Sequence, residues 1–330
     1  MTGMTIDLQH IASRPHSRGA LVANVVRAGL LLAAFGALLA VVLWPQLGST
    51  AVIVAVLAVA GIGLLAWRVS PTTAMRIYGA RPYEAGDLAQ FDRIAGDLSR
   101  RAGLRSAPRL YLMPSLLVTA FSIGSPQRLA IALTEGLLRR LTMREVVAVL
   151  AREIAHAKRG DLFVFGVADI ISRCAQGLYY GGLLLAALNL LNGLSGGDQV
   201  SWLSILLMVL APTLMNGLQL AMSRKEEFET DRAAALLTGD PLGVASAISR
   251  LDNTAGTPLD DLIPPVPARK VALPSMLRLS TDIEPRVARI SAFEAPPMPP
   301  LDISEGPRIS MVGVGPIELR PRYRWPGVWF

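Results

Sequence analysis

The sequence predicts a mainly α-helical, multi-pass membrane protein that carries a small β-sheet outside the membrane. Of its 330 residues, 52% are hydrophobic and only 17% are charged, which is more apolar than a water-soluble domain of this size normally is. The apolar residues are concentrated in long runs without charges, as in helices that cross a bilayer. Two short segments with strand-like composition indicate the sheet. The lipid bilayer is therefore the first predicted partner.

The first predicted membrane hairpin, residues 20–68, follows a polar N-terminal segment, residues 1–19. It contains two uncharged apolar runs, Ala28–Trp44 and Ala51–Trp67, near the lower limit of the length that crosses a hydrocarbon core. Pro45–Thr50 is predicted to form the tight turn between them. Arginines flank the two runs: Arg14, Arg18 and Arg27 precede the first run, and Arg68, Arg76 and Arg81 follow the second. By the positive-inside rule, both flanks are expected in the cytoplasm.

A second hydrophobic hairpin, residues 162–222, is predicted from the runs Leu162–Leu191 and Trp202–Met222. The first run contains Asp169 and Arg173, whose i,i+4 spacing allows them to pair on one helix face. These charges leave an alternative open, in which the hairpin is a buried amphipathic part of a soluble domain.

The segments outside the hairpins carry both helix and strand signals. Glu84–Gly103 has an apolar stripe at helical spacing. The segments "PRLYLM" and "RLAIAL" indicate strands separated by a turn. A capping box of Thr142 and Glu145 begins a further helix, which Gly160 ends.

The C-terminal part of the chain begins with another helix signal, from about Gln219 to Leu237. Proline becomes frequent from Thr257 onward, and residues 294–330 are expected to form a weakly ordered tail.

Composition also excludes some functions. The single cysteine, Cys174, excludes an internal disulfide framework and a cysteine-cluster zinc site. The net charge of +7 comes from scattered basic residues or from those beside apolar runs, without a nucleic-acid-binding pattern. We therefore expect no nucleic-acid partner.

The segment "VVAVLAREIAHAKRGD", Val146–Asp161, is nearly the helix of a zinc protease. Such a helix places two histidines four residues apart on one face as metal ligands, beside a glutamate that activates water. Here the first histidine position is occupied by Arg152.

Six blocks, taken together, resemble the HtpX-type membrane zinc metallopeptidases, which are gluzincins. The blocks are, in order, "MRIYGARP", "TAFSIG", "IALTEGLLRRL", "REIAHAKRGD", "SRKEEFETD" and "STDIEPRVARI". The resemblance implies four spans, zinc, and a cytoplasmic endopeptidase domain at a bacterial inner membrane that acts on membrane or misfolded proteins in quality control. It implies a gluzincin-like domain in two parts, residues 69–161 and 223–293.

The resemblance also assigns roles residue by residue. Glu153 matches the general base and His156 matches the second histidine ligand. Glu227 matches the third ligand, with Glu226 as the alternative if the register differs by one. Asp231 matches the carboxylate that orients a ligand histidine through its far ring nitrogen.

An edge strand that pairs with an extended substrate is implied as well. Its residues are Leu129, Ala130, Ile131, Ala132 and Leu133.

Three positions depart from the family pattern. Arg152 stands where the first histidine ligand belongs, Thr119 replaces an asparagine, and Asp282 replaces a histidine.

Arg152 is predicted to weaken or abolish zinc binding, because catalytic zinc needs three protein ligands and a guanidinium has no free lone pair. The remaining histidines, His10 and His16, lie before the first span, and Cys174 lies inside an apolar run. We expect the Arg152 guanidinium to occupy the vacated metal position and to form a bidentate pair with Glu227.

Three functions remain open at this point. The first is a pseudoprotease that binds peptides or membrane-protein partners without zinc-dependent cleavage. The second is an active zinc metalloendopeptidase with a rebuilt site. The third is a structural membrane protein.

Overall fold

The computed structural model of the chain describes residues 18–82, 89–115, 117–195, 199–223, 226–251, 283–296, 298–299 and 301. Within these residues the chain is mainly α-helical and carries one four-stranded sheet. The predicted fold class is therefore confirmed.

The helices are α1 (Arg18–Leu47), α2 (Thr50–Arg68), α3 (Pro71–Ile77), α4 (Ala89–Ala102), α5 (Glu135–Arg140), α6 (Met143–Arg159), α7 (Asp161–Ser195), α8 (Trp202–Ser223), α9 (Glu226–Thr238), α10 (Pro241–Arg250) and α11 (Ile283–Ser291). The strands are β1 (Arg81–Pro82), β2 (Arg109–Met113), β3 (Ala120–Ser125) and β4 (Arg128–Thr134).

Four helices are long and apolar enough to cross a membrane: Val22–Leu47, Thr50–Arg68, Asp161–Leu194 and Trp202–Met222. Many large apolar side chains on them face outward; Leu57 is 67% exposed and Leu190 is 63% exposed. Exposing apolar surface to water costs about 25 cal/mol per Å2, so these side chains are expected to face the lipid of a bilayer.

The four spans pack on one another through a shared apolar cluster. This cluster includes Phe35 of α1, Ile62 of α2, Ile171 of α7 and Ala211 of α8. The predicted pairing inside α7 is confirmed, with Arg173 Nε 2.9 Å from Asp169 Oδ2.

The turn of the first hairpin is shorter than predicted. Helix α1 continues through Pro45 to Leu47, and only Gly48 and Ser49 separate it from α2. Proline is tolerated here because it lies in the last turn, and Gly48 ends the helix at a φ of 54°.

The sheet differs from the sequence prediction in two ways. Its order is β1-β2-β4-β3, with β2 parallel and β3 antiparallel to β4. The segment Leu129–Leu133 is therefore not an edge strand, and that prediction is wrong, because β2 and β3 pair with both of its sides. Among the described residues the outer strands are β1 and β3, and the longer free edge is that of β3, Ala120–Ser125, a strand that sequence analysis missed because glycine and serine interrupt its apolar pattern.

The other helices mostly follow their signals. In α4, Phe91, Ile94 and Leu98 are buried, as their spacing predicts. The helix predicted from Gln219 to Leu237 corresponds to the end of α8 and to α9, and residues 224–225 between them lie outside the described residues.

Several predicted features lie outside the described residues. They are residues 1–17 with His10 and His16, the start of the helix predicted from Glu84, residue Asp282, and residues 302–330 of the tail.

Helix α6 lies at the centre of the domain outside the membrane. Its residues Val146, Leu150 and Ile154 are fully buried in a cluster with Phe91 of α4 and Ile131 of β4. Burial on several sides fixes the helix, so its remaining face presents side chains in set positions.

Candidate functional site

The motif residues project from one face of a helix whose two ends are capped. Thr142 and Glu145 form the predicted capping box at the start of α6, and Gly160 ends the helix in the left-handed conformation with a φ of 79°. Arg152 and His156, one turn apart, therefore share a face. The predicted capping box and the predicted end of the helix at Gly160 are both confirmed.

Arg152 is nearly buried and binds acidic residues of helix α9. Its Nη2 lies 3.0 Å from Glu227 Oε2, its Nε lies 3.1 Å from Asp231 Oδ1, and its Nη1 is 3.9 Å from Glu153 Oε1. The predicted contact with Glu227 is present. It is not bidentate, because the guanidinium is shared between two carboxylates that lie one turn apart on α9.

The ion pairs keep Arg152 charged. Burial lowers the pKa of an arginine, but the carboxylates of Glu227, Asp231 and Glu153 outweigh burial and raise the pKa of Arg152 above its ordinary value. Arg152 is thus a permanent cation within the site.

A second arginine, Arg286 of α11, binds the same carboxylates. Its Nε lies 2.8 Å from Asp231 Oδ2, its Nη2 lies 2.9 Å from Asp231 Oδ1, and its Nη1 contacts Glu227 Oε2. Sequence analysis missed Arg286, although it stands in the block "STDIEPRVARI" that supports the resemblance. Two guanidinium groups therefore face the carboxylates of Glu227 and Asp231, with Glu153 beside them.

Glu153 is buried and has a further partner on the edge strand. Ser122 Oγ of β3 donates a hydrogen bond of 2.7 Å to Glu153 Oε2. Ser122 lies in the block "TAFSIG", and no local signal pointed to its role. The bond connects the predicted general base to the free edge of the sheet.

His156 is held by an acidic residue at the start of the next helix. Its Nδ1 lies 3.2 Å from Asp161 Oδ2, at the start of α7, and its ring contacts Phe165 edge-on at 5.3 Å. Asp161 also accepts a hydrogen bond of 3.0 Å from Asn24 Nδ2 of α1. Asp231, which the resemblance matches to the carboxylate that orients a ligand histidine, accepts hydrogen bonds from Arg152 and Arg286.

These residues do not fit a catalytic zinc ion as they are arranged. Catalytic zinc needs three protein donors and an open position for water. Among the residues that the structure describes, no group of three or more His, Cys, Asp or Glu side chains could hold a metal ion. Glu227 Oε2, the predicted third donor, instead contacts both Arg152 and Arg286.

The site opens into a large cavity between the domain and the membrane helices. The cavity has a volume of about 910 Å3 and is lined by Arg152, Glu153, His156 and Glu227, by residues 121–125 of β3, and by the facing ends of α2 and α7. Its volume falls within the range of about 300–1,000 Å3 that is usual for ligand sites.

The free edge of β3 offers backbone groups to such a ligand. Thr134 N donates to Thr119 O, so residues 119, 121, 123 and 125 face β4 in the antiparallel register. The alternate residues Ser122 and Gly124 therefore turn their backbone N–H and C=O groups toward the free side. A free strand edge of this kind can pair with the backbone of an extended peptide.

Comparison with known proteins gives concordant matches. The model of Peptidase family M48 matches residues 87–277. A "Protease HtpX homolog" of Methylibium petroleiphilum is 31% identical, covering 72% of this chain and 83% of that protein. Proteins of the same name from Acidiphilium cryptum and Trichormus variabilis are 35% and 34% identical, covering 72% and 68% of this chain and 82% and 78% of their own lengths. No solved structure matches.

Proposed function

The chain belongs to peptidase family M48 and is of the HtpX type, and on that premise we propose that it is a pseudoprotease. In this proposal the domain faces the cytoplasm and binds extended peptides or membrane-protein partners without zinc-dependent cleavage. The observation that carries it is the ion-pair cluster in which Arg152, at a zinc-ligand position, binds Glu227 and Asp231.

The chemistry of the cluster supports loss of the metal. Glu227 would have to release two arginines before it could bind a cation, and both arginines would repel that cation. His156 keeps a free Nε2 because Asp161 engages Nδ1, but one imidazole is one donor of the three needed. Without a bound metal, Glu153 has no acidified water to deprotonate.

Peptide binding is supported by the edge of β3 and not by β4. Ser122 and Gly124 present their backbone groups beside the cavity, so a bound strand would lie over Glu153 and Arg152. Binding by strand addition uses main-chain hydrogen bonds and does not require a metal.

The first test is the zinc content of the purified full-length protein, measured by mass spectrometry of the metal. We expect well under one zinc per chain in the wild type and a clear gain in Arg152→His, which restores a histidine four residues before His156. Adding Arg286→Gln should increase the gain, because Glu227 is then released from its second cation. Arg100→His on the exposed surface of α4 is the matched control for an added imidazole and should gain none.

Activity decides between this proposal and a rebuilt zinc protease. We expect no cleavage of an unfolded casein by the wild type. Stoichiometric zinc in the wild type, together with cleavage that Glu153→Gln abolishes, would refute the pseudoprotease and establish the rebuilt enzyme.

The second test is peptide binding to the full-length protein in detergent. A fluorescent peptide from casein should bind, and the same peptide with N-methyl groups on alternate amides should lose at least about tenfold in affinity, because each lost backbone hydrogen bond weakens binding. Equal affinity of the two peptides would exclude strand addition and favour a purely structural role.

A further inference from the structure

We infer that the membrane-facing half of the cavity binds an anionic phospholipid. Its phosphate group pairs with Arg68 and Arg128, and an acyl chain lies along the apolar residues of α2 and α7. The inference depends on the cavity and on the membrane spans, and it is independent of whether the neighbouring site binds zinc.

The walls of this half are contributed by membrane helices. Leu65 and Trp67 stand at the end of α2, and Phe163 and Ile170 stand in the first turns of α7. Trp67 and Phe163 contact each other edge-on at 6.2 Å. The cavity therefore continues from the domain to the level of the spans, where lipid chains begin.

Arg68 and Arg128 both line the cavity, and the segments beside them meet at a close contact between α3 and the β3–β4 hairpin. A Cβ placed on Gly124 would lie 2.9 Å from Pro71 Cγ and 2.1 Å from the Arg128 backbone oxygen. Pro71 follows Arg68 by three residues. Gly124 therefore packs between the segment that follows Arg68 and the start of β4 at Arg128, and both arginines line the same cavity.

These arginines differ from the others that line the cavity. Arg152 pairs with Glu227 and Asp231, and Arg173 pairs with Asp169. Arg68 and Arg128 are exposed and form no ion pair with any residue that the structure describes. Two uncompensated guanidinium groups at a bilayer surface attract an anion, and their planar donors match a phosphate.

An acyl chain fits this half better than a peptide does. The backbone groups of α2 and α7 are paired within their helices, so a peptide here would bury N–H and C=O groups without partners. A hydrocarbon chain has no such groups. The peptide site proposed above uses the edge of β3 and leaves this half free.

Cys174 provides a direct test without engineering. It is the only cysteine of the chain, it lines the cavity, and it is partly exposed. In the full-length wild type in detergent, phosphatidylglycerol should slow alkylation of Cys174 by N-ethylmaleimide several-fold. Phosphatidylcholine and inorganic phosphate at equal concentrations should not. Equal protection by the two lipids would overturn the anionic site, and protection by phosphate alone would show that the ligand is a free anion and no lipid.

Variants then locate the headgroup. Arg68→Gln combined with Arg128→Gln should raise the phosphatidylglycerol concentration for half-protection by about 30-fold, since each arginine near a membrane surface contributes about fivefold. Arg109→Gln, an exposed arginine of β2 that does not line the cavity, should leave protection unchanged. An equal loss in both would show general electrostatic attraction and overturn the site. The lipid comparison in the wild type stands even if the double variant folds poorly.

Discussion

Arg152 determines the charge of the site because its fixed cation pairs with the carboxylates of α9. Asp231, which the resemblance assigns to a ligand histidine, still contacts position 152, but here it accepts from a guanidinium. Arg286 completes the pairing of the same carboxylates. The acidic groups of α9 are thus paired with cationic side chains of the protein itself.

The two arginines should compensate for each other. Arg152→Gln or Arg286→Gln alone should lower the free energy of unfolding by roughly 1–3 kcal/mol, because one cation remains at Glu227 and Asp231. The double variant should lose more than the sum, because the carboxylates are then buried without a partner. Thermal unfolding in detergent measures the cycle, with Arg100→Gln as the exposed control. Additive losses would show that the arginines act separately.

At the scale of elements, the site depends on how α6, α9 and α10 are fixed to one another. Asp240, at the start of α10, accepts a hydrogen bond of 2.6 Å from Arg144 Nη2 of α6 and one of 2.9 Å from Gly243 N. The hydrogen bond from Arg144 lowers the pKa of Asp240 below its ordinary value of 3.8, although burial opposes the shift. One carboxylate therefore both caps α10 and connects it to the motif helix.

This contact predicts a pH dependence of stability. Because the folded pKa of Asp240 lies below the unfolded one, its contribution is complete above pH 3.8 and is lost as the pH falls through the folded pKa. Asp240→Asn should therefore lower the melting temperature at pH 7, and the gap to the wild type should narrow as the solution is acidified below about pH 4. The exposed pair of Asp97 with Arg100 is the control, and Asp97→Asn should change little at any pH. A gap that stays constant with pH would contradict the assignment.

For the whole molecule, the spans and the domain are joined by polar contacts at one membrane boundary. Asn24 of α1 bonds to Asp161 at the start of α7, and Asp161 in turn bonds to His156. The start of α1, the end of α2, the start of α7 and the end of α8 all lie on the side of the domain, as two hairpins require. A movement of α1 relative to α7 would therefore change the hydrogen bonds that join Asn24, Asp161 and His156.

The positive-inside rule predicts which side of the membrane carries the domain. In a Cys174→Ala background, Ser49→Cys in the first hairpin turn should react with a membrane-impermeant maleimide in intact spheroplasts. Asp97→Cys on α4 should react only after the membrane is permeabilised, because the arginine-rich flanks favour the cytoplasm. The reverse pattern of labelling would place the domain on the outside.

Local patterns in the sequence predicted much of the secondary structure of this protein. The apolar runs predicted the four spans, and the capping box and Gly160 fixed both ends of α6. The sequence also showed an arginine at position 152, beside the motif residues Glu153 and His156. These features depend on neighbouring residues or on composition, so the chain encodes them within a few turns.

Only the tertiary structure determines which strands pair and which charged side chains contact each other. In the folded chain β4 lies inside the sheet and β3 lies at its edge. Arg286 contacts Glu227 and Asp231, and His156 contacts Asp161. Strand order and charge pairing join residues that lie far apart in the chain, such as Arg152 and Asp231, and no local period specifies them. They are fixed when burial forces each charged or edge group to find the partner that the packed elements leave available.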